Sequence, residues 1–270
     1  KYRLIGIVLA LLLVMSCSSK QDDENLPIDV LYNQGLESLK AEKYRKAIEK
    51  FEQLDLNYPY SKWATRAQLL AAYSYYQDES YEDAVAALDK FIKMHPGNKD
   101  IPYAYYLKSM CYYDQITTVS RDQSNTEKAR DTLKEVLARY PDSDYGRDAK
   151  IKIDLVNDHL AGKEVEVGRF YIKHGNYIAG INRFNKVIQN YQTTSHVEEA
   201  LFRLVEAYTA LGISDEAQKN AAVLGYNYPG SKWYKYSYDL INQKFKTASL
   251  KEPSKDSKWW KMKNPDIKIP

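Results

Sequence analysis

Apolar side chains recur along this chain at the spacing of amphipathic helices. In one stretch, over about 43–57, Tyr44, Ala47, Ile48, Phe51 and Leu54 share a single helix face. Five stretches also carry a small residue followed eleven positions later by an aromatic residue or His, usually with Pro next. These are Ala47 with Tyr58-Pro59, Ala84 with His95-Pro96, Ala129 with Tyr140-Pro141, Gly180 with Tyr191-Gln192 and Ala217 with Tyr228-Pro229. Because proline cannot continue a helix, each aromatic position marks a helix end.

A second register of small residues lies eight positions beyond the Pro position, at Ala67, Ala104, Ala149, Ala200 and Ser237. Small residues are needed where two helix backbones approach closely, so the repeating unit is a helix pair. Gly35, twelve residues before Ala47, completes a spacing that resembles the tetratricopeptide repeat. The sequence predicts an all-α tetratricopeptide-repeat superhelix, an α-solenoid of about five helix pairs whose role is to hold something.

Irregular spacing of the Pro positions predicts two insertions. The interval is 37 residues at both ends of the array but 45 and 51 in the middle. We place the first excess in the polar segment Gln115–Asn125. The second excess is fourteen residues, or about four helical turns. It predicts an extra inserted helix from Tyr145 to about Leu160, with Gly162 at its end. Gln192, where other units have Pro, leaves the geometry of the fourth turn open, and a helix from Lys232 to about Thr247 is expected to cap the stack.

The N-terminus is typical of a bacterial lipoprotein. Lys1 and Arg3 precede an apolar run that is too short for a permanent membrane span, and the run ends in Val-Met-Ser before Cys17. This resembles a lipobox, so residues 1–16 are predicted to be a signal peptide and Cys17 a lipid anchor carrying an N-terminal acyl group and diacylglycerol. Residues 17–28 form a predicted flexible tether, and Ser18 at the second position favours the periplasmic face of the outer membrane. The alternative is an ordinary secretory peptide with an incidental Cys.

Charge and cysteine content exclude several roles. Removal of Lys1 and Arg3 lowers the formal net charge from +3 to +1, so nucleic acid is not an expected partner. Acylation of Cys17 leaves Cys111 as the second and last cysteine, and we expect it to be a small core residue.

No constellation of residues predicts catalysis. The four His residues lack metal-ligand spacing, and we find no glycine-rich phosphate loop or nucleophile elbow. His95 stands where other repeats have Tyr and is expected to be a helix cap or a core residue. The chain is therefore not expected to be an enzyme, to bind a metal or to carry a cofactor beyond its lipid.

Binding has more support, because the chain has 25 Tyr against 6 Phe and Tyr combines an apolar ring with a polar tip. In tetratricopeptide arrays the first helix of each pair lines the concave surface. Counting from Gly35 and its equivalents, the inward positions of the first three units predict a peptide-binding groove formed by Tyr32, Arg66, Tyr73, Tyr76, Tyr103, Tyr106 and Tyr113. The same count in units four and five gives one aromatic residue, Phe202, among eight positions. The alternative is that the tyrosines only pack between repeats.

Several segments resemble the BamD family, the lipoproteins of the bacterial outer-membrane β-barrel assembly machinery. They are Tyr113-Asp114-Gln115 with Ser120-Arg121-Asp122-Gln123, RYPDS from Arg139, DHLAGKEVEVG from Asp158, INRF from Ile181 and AAVLGYNYPGSKWY from Ala221. Several of these are similar to the alphaproteobacterial branch.

The resemblance implies a non-enzymatic periplasmic scaffold that binds the periplasmic domains of BamA, other assembly-complex lipoproteins and unfolded outer-membrane proteins, whose C-terminal strand signal ends in an aromatic residue. It assigns substrate binding to repeats 1–3 (29–142), and BamA binding to the inserted helix, repeats 4–5 and capping helix (143–247). Residues 248–270 form a basic tail in which Trp259 and Trp260 suggest a partner, although a solvated tail is the alternative. A different tetratricopeptide-repeat envelope lipoprotein, one that scaffolds peptidoglycan or division factors, would share the anchor and the fold.

Overall fold

The computed structural model describes residues 26–249, and every regular element in that range is an α-helix. The predicted signal peptide, the anchor Cys17, most of the tether and nearly all of the basic tail with Trp259 and Trp260 lie outside the described residues. The helices are α1 (Ile28–Lys40), α2 (Tyr44–Asn57), α3 (Lys62–Gln77), α4 (Tyr81–Met94), α5 (Ile101–Tyr113), α6 (Ser124–Arg139), α7 (Asp144–Lys173), α8 (Tyr177–Asn190), α9 (Val197–Leu211), α10 (Ser214–Asn227) and α11 (Lys232–Ser249). The predicted all-α class is confirmed.

The chain divides into two compact units, with the boundary between Cys111 and Tyr112. In the first unit, α1 packs on α2, α2 on α3 and α3 on α4, and α1 also touches α3. In the second unit, each helix from α6 to α10 packs on the next one along the chain. In addition, α7 touches α9, and α9 touches α11. Contact between alternate helices is what stacked helix pairs produce. The predicted functional division at residue 142 is a separate matter and stays a prediction.

Aromatic residues end the second helix of every pair, as the sequence pattern predicts. Tyr58, His95, Tyr140, Tyr191 and Tyr228 are the C-cap residues, all with φ between −128° and −135° and ψ between 42° and 56°. In each case the residue three positions later donates its N–H to the carbonyl of the aromatic residue, over 2.9–3.2 Å. Tyr191, which precedes Gln192, adopts the same turn as the four that precede Pro. The turn therefore depends on the aromatic cap more than on proline.

The small residues lie where helices meet. The second register is fully buried throughout, and Ala47, Ala84 and Ala129 of the first register are also 0% exposed. A Cβ added to Gly35 would lie 2.5 Å from the ring of Phe51, and one added to Gly168 would lie 2.5 Å from the ring of Phe184. The first and fourth pairs thus share one contact, in which a glycine on the first helix receives a phenylalanine from the second.

The first described residues belong to the core of the first unit. Leu26 and Ile28 pack against the core formed by Leu31, Phe51 and other buried residues of α1–α3, and the Tyr58 hydroxyl donates to the Leu26 carbonyl over 3.0 Å. The last residues of the predicted tether are therefore part of the first unit.

Helix α7 corrects one expectation. The predicted inserted helix does not end near Gly162; it continues into the first helix of the fourth pair as a single helix of 30 residues. Gly162 is buried inside α7, and a Cβ there would lie 3.1 Å from His196 Nε2, so this glycine admits a neighbouring side chain instead of ending the helix. A lone glycine costs a helix only about 1 kcal/mol, which tertiary contacts readily offset.

The predicted insertion in the third unit is confirmed as a connection between α5 and α6. The side-chain amide of Gln123 donates to the carbonyl of Arg121 over 2.9 Å and to that of Val119 over 3.3 Å. Lys163 on α7 donates to the Ser120 carbonyl over 2.9 Å. Because its own carbonyls are bound in this way, the insertion has a defined conformation.

Candidate functional site

One face of α3 carries the best-defined part of the predicted groove. Arg66, Tyr73 and Tyr76 follow one another at helical spacing, and the rings of Tyr73 and Tyr76 lie 6.4 Å apart at an interplanar angle of 32°. Gln77 donates to the Tyr73 hydroxyl over 2.7 Å, which fixes the polar tip of that ring. Both tyrosines are half-buried and Arg66 is exposed, so this surface, here called the tyrosine face, is accessible.

A cavity of about 430 Å³ opens beside Arg66. Lys62, Arg66 and Lys99 line it with three positive charges, against one carboxylate from Asp100. Leu69 and Phe91 also line it and are almost fully buried, which gives the cavity an apolar side. This cationic cavity suits a carboxylate attached to an apolar group, because charge-assisted hydrogen bonds to carboxylates are strong and partial burial strengthens them.

Sequence reasoning found Arg66 but missed Lys62 and Lys99. Lys62 precedes Arg66 by one helical turn, so its place on the same side could have been read from the spacing. Lys99 lies in the connection between α4 and α5, and the repeat register gives no direction for side chains in such connections.

Tyr32 is not part of an accessible groove, and this prediction is wrong. Its side chain is only 5% exposed, and its ring makes edge contacts with Trp63 at 4.6 Å and Phe51 at 6.1 Å. The physical reason is that Trp63 of α3 covers the ring of Tyr32 on one side while Phe51 of α2 contacts it on another. The alternative reading of the tyrosines, as residues that pack between repeats, holds here.

The remaining predicted groove residues lie on one face of α5. Tyr103 and Tyr106 are half-buried and belong to the first unit, whereas Tyr113 belongs to the second. The ammonium of Lys152 lies 4.9 Å from the centroid of the Tyr113 ring, which places a cation against that ring. Whether these three tyrosines touch a ligand stays a prediction.

The second unit has an aromatic cluster that counting along first helices did not reveal. Phe202 on α9 stacks on Trp233 of α11 at 5.3 Å, and Tyr236 lies 5.9 Å from both rings. Arg203 joins this cluster, since its guanidinium lies 5.3 Å from the Phe202 ring centroid and 2.8 Å from Glu206. The repeat register gave only Phe202 because Trp233 and Tyr236 come from the capping helix.

Two other predicted residues have structural roles. His95 caps α4, and its ring lies 5.2 Å from that of Phe91. Cys111 is fully buried, as expected of a core residue. Across residues 26–249 no three His, Cys, Asp or Glu side chains converge as metal ligands would, and none of the helices in this range has the length and apolarity to cross a membrane.

A family model described as an outer membrane lipoprotein, YfiO, matches residues 24–224, which is most of the chain. The chain belongs to the YfiO family. Two similar members are each named outer membrane protein assembly factor BamD. The Rickettsia prowazekii protein is 49% identical over 242 residues, covering 88% of this chain and 96% of its own length. The Caulobacter vibrioides protein is 44% identical over 243 residues, covering 88% and 80%.

The match to the YfiO family ends at residue 224, so it includes the tyrosine face and the cationic cavity but stops before α11. Among solved structures, this YfiO-family chain is similar to the TPR2AB domain of yeast Sti1 in its pHSP90 complex. The identity is 14% and the TM-score 0.41, with 82% of this chain and 86% of the other covered. The resemblance inferred from the sequence motifs, including its alphaproteobacterial character, is confirmed by the Rickettsia and Caulobacter relatives.

Proposed function

We propose that this YfiO-family chain is an outer-membrane protein assembly factor that works as a scaffold at the periplasmic face of the outer membrane. Support comes from the names of its relatives, which share up to 49% identity over most of the chain, and from the lipobox before Cys17. In this proposal the acylated Cys17 holds the chain at the membrane, the periplasmic domains of BamA bind residues 143–247, and unfolded outer-membrane proteins bind residues 29–142. No catalytic step is needed, because the work is that of holding two partners.

The observation that carries client binding is the position of the cationic cavity beside the tyrosine face. Arg66 lines the cavity and shares a helix face with Tyr73 and Tyr76. A client with an aromatic C-terminal residue would place its terminal carboxylate near Lys62, Arg66 and Lys99 and its last ring against Leu69. The preceding residues would then extend along Tyr73 and Tyr76, where alternate apolar side chains meet the rings.

The affinity expected for such a contact is micromolar or weaker. An unfolded client loses conformational freedom when it docks, and this loss offsets much of the contact energy. Weak binding suits a factor that must also release its client.

Client binding can be tested with a fluorescent peptide of alternating apolar residues that ends in Phe. The peptide with a free carboxylate should bind more tightly than the same peptide with an amidated end, and Arg66→Gln should reduce that difference, since Lys62 and Lys99 remain in the cavity. Tyr73→Ala with Tyr76→Ala should weaken both peptides. Tyr60→Ala is the matched control, because Tyr60 is fully exposed and should leave binding unchanged.

Equal binding of the free and amidated peptides to the unaltered chain would exclude carboxylate recognition by the cationic cavity. Equal binding by the double tyrosine variant and the Tyr60→Ala control, with helicity preserved, would exclude the tyrosine face as a client site.

The scaffold role itself is tested by purifying the acylated chain from membranes and identifying the proteins that accompany it. We expect BamA. The aromatic cluster of Phe202, Trp233 and Tyr236, with Arg203 beside it, lies within residues 143–247 and supports BamA binding there, so Trp233→Ala should reduce the amount of BamA recovered. Recovery of peptidoglycan or division factors without BamA would favour the alternative scaffold role.

A further inference from the structure

A second surface of the first unit lies on the side of α3 away from the tyrosine face. It is an open groove of about 770 Å³ lined by α2, α3 and α4. Gln68, Ala71 and Tyr75 line it from α3, and neither Tyr73 nor Tyr76 is among the lining residues, although Tyr75 is next to Tyr76 and about 100° from it around the helix. A ligand in this groove therefore would not touch Tyr73 or Tyr76.

The floor of the groove is apolar. Phe51 and Phe91 line it with exposures of 0% and 1%, and the small side chains of Ala71, Ala86 and Ala87 leave the space above them open. On the α2 wall, Leu56 is 80% exposed. When a partner covers a large aliphatic side chain at the edge of an apolar depression, the burial of its surface favours binding.

The rim of the groove is acidic. Glu49, Glu52, Asp55 and Asp83 place four carboxylates around it, and Lys90 is the one cation among the residues that line it. Lys90 lies 3.3 Å from Asp55, so its charge is already opposed by that carboxylate. The rim carries a net formal charge of −3 (four carboxylates less one ammonium) on a chain whose formal net charge is +3.

Hydrogen bonds join α3 to α2 and to the end of α4 around the groove. The Tyr75 hydroxyl on α3 donates to Glu52 on α2 over 2.6 Å. Gln68 on α3 donates to Asp55 on α2 over 2.6 Å, and its carbonyl oxygen lies 2.8 Å from His95 Nε2 at the end of α4. Glu52 and Asp55 therefore keep their positions, and a ligand need not order these two carboxylates on binding.

We propose that this acidic groove binds a basic amphipathic segment of a partner protein, in which Lys or Arg side chains flank an aromatic or aliphatic residue. The apolar residue would lie over Ala86 and Ala87 and beside Leu56, and the cations would face Glu49, Glu52 and Asp83. Charge complementarity selects this partner over an acidic peptide or an anionic lipid surface, which the rim would repel. The groove shares only Phe91 with the lining of the cationic cavity, and neither Tyr73 nor Tyr76 lines it.

The probe is a fluorescein-labelled peptide in which Lys and Leu alternate around one Trp, measured by anisotropy with the purified chain at low ionic strength. The comparison peptide has Glu in place of every Lys. We expect the Lys peptide to bind and the Glu peptide not to bind. Raising the ionic strength should weaken the Lys peptide, because the rim charges are exposed to solvent and are screened by salt.

Matched variants locate the site. Glu49→Gln with Asp83→Asn should weaken the Lys peptide about fivefold and reduce its salt dependence, since exposed charge pairs each contribute modestly. Glu82→Gln is the control, because Glu82 and Asp83 both lie in the first turn of α4 but Glu82 does not line the groove. Ala87→Leu should fill the floor and weaken binding at every ionic strength.

Three results would overturn the proposal: equal binding of the Lys and Glu peptides, unchanged binding in the charge variant, or unchanged binding when Ala87→Leu fills the floor. Thermal melts of each variant show whether it has kept its fold. Tyr73→Ala with Tyr76→Ala should leave the Lys peptide unaffected, so failure of the client site and failure of the acidic groove give different results.

Discussion

Replacing Gly168 by Ala tests whether close contact between the helices of a pair, rather than helix propensity, fixes the stability of the second unit. Gly168 lies inside α7, where alanine is favoured over glycine by about 1 kcal/mol. A Cβ at this position would lie 2.5, 2.6 and 3.0 Å from three atoms of the Phe184 ring, which is fully buried. Propensity and contact therefore act in opposite directions.

The contact should have the larger effect. Overfilling a close-packed core costs about 1–3 kcal/mol, and three contacts of 3.0 Å or less put this site at the upper end. After the gain in propensity, we expect Gly168→Ala to lower the free energy of unfolding by about 1–2 kcal/mol. Gly162→Ala is the matched control, because it lies in the same helix but faces a His196 side chain that is 30% exposed and able to shift. It should be neutral or stabilising by up to about 1 kcal/mol.

The assay is urea unfolding followed by far-ultraviolet circular dichroism, with the slope of each transition compared so that a change of mechanism is not mistaken for a change of stability. A second variant, Phe184→Leu, removes the ring that Gly168→Ala would meet. The double variant should be more stable than the sum of the single effects predicts, by about 1 kcal/mol or more. If Gly168→Ala proves as stable as Gly162→Ala, or if the effects are additive, the contact does not determine stability and the reasoning fails.

Three further predictions concern single side chains. Glu164→Gln should lower the free energy of unfolding by about 1–2 kcal/mol in the same assay, because its 9% exposed carboxylate joins two cations of α8 to α7; no loss would show that the two cations are equally well solvated without it. Gln123→Ala should speed amide hydrogen exchange in residues 115–123, since its side chain holds the insertion, whereas Gln192→Ala should not; unchanged exchange would contradict this role. Burial of the Tyr75 hydroxyl and, after it, the hydrogen bond to Glu52 raise the pKa of Tyr75 above its ordinary value of 10.0. The contribution of this protonated hydroxyl to the free energy of unfolding is therefore complete below pH 10.0 and declines as the pH rises beyond 10.0. Stability should fall less steeply above that pH in Tyr75→Phe than in the unaltered chain, and equal slopes would contradict the linkage.

The helix pairs could be predicted from the sequence because their signals are local and repeated. The aromatic caps such as Tyr58 and His95 were identified from spacing alone, and so were the buried small residues such as Ala67. Each signal reflects a steric requirement that only a few residue types meet, so five copies reinforce one another.

The errors arose where a local signal had a long-range cause. Gly162 was interpreted as a helix end. Its lack of a side chain instead leaves room for the ring of His196, which is more than thirty residues away in the sequence. Tyr32 was assigned to a groove by its register, but the ring of Trp63, about thirty residues later in the sequence, covers it. Lys99 was missed because it lies in a connection, where spacing carries no information about direction.

The continuity of α7 restricts how this chain can change in length. Each residue added to a helix rotates everything beyond it by 100° and advances it by 1.5 Å, so a single deletion between Asp144 and Glu164 would turn that carboxylate away from its cations. The fourteen residues by which this interval exceeds the usual one amount to nearly four whole turns and so almost preserve the angular phase of the helix. Viable length variants of this segment should therefore differ by whole turns, whereas the connection before α6 can gain or lose residues singly.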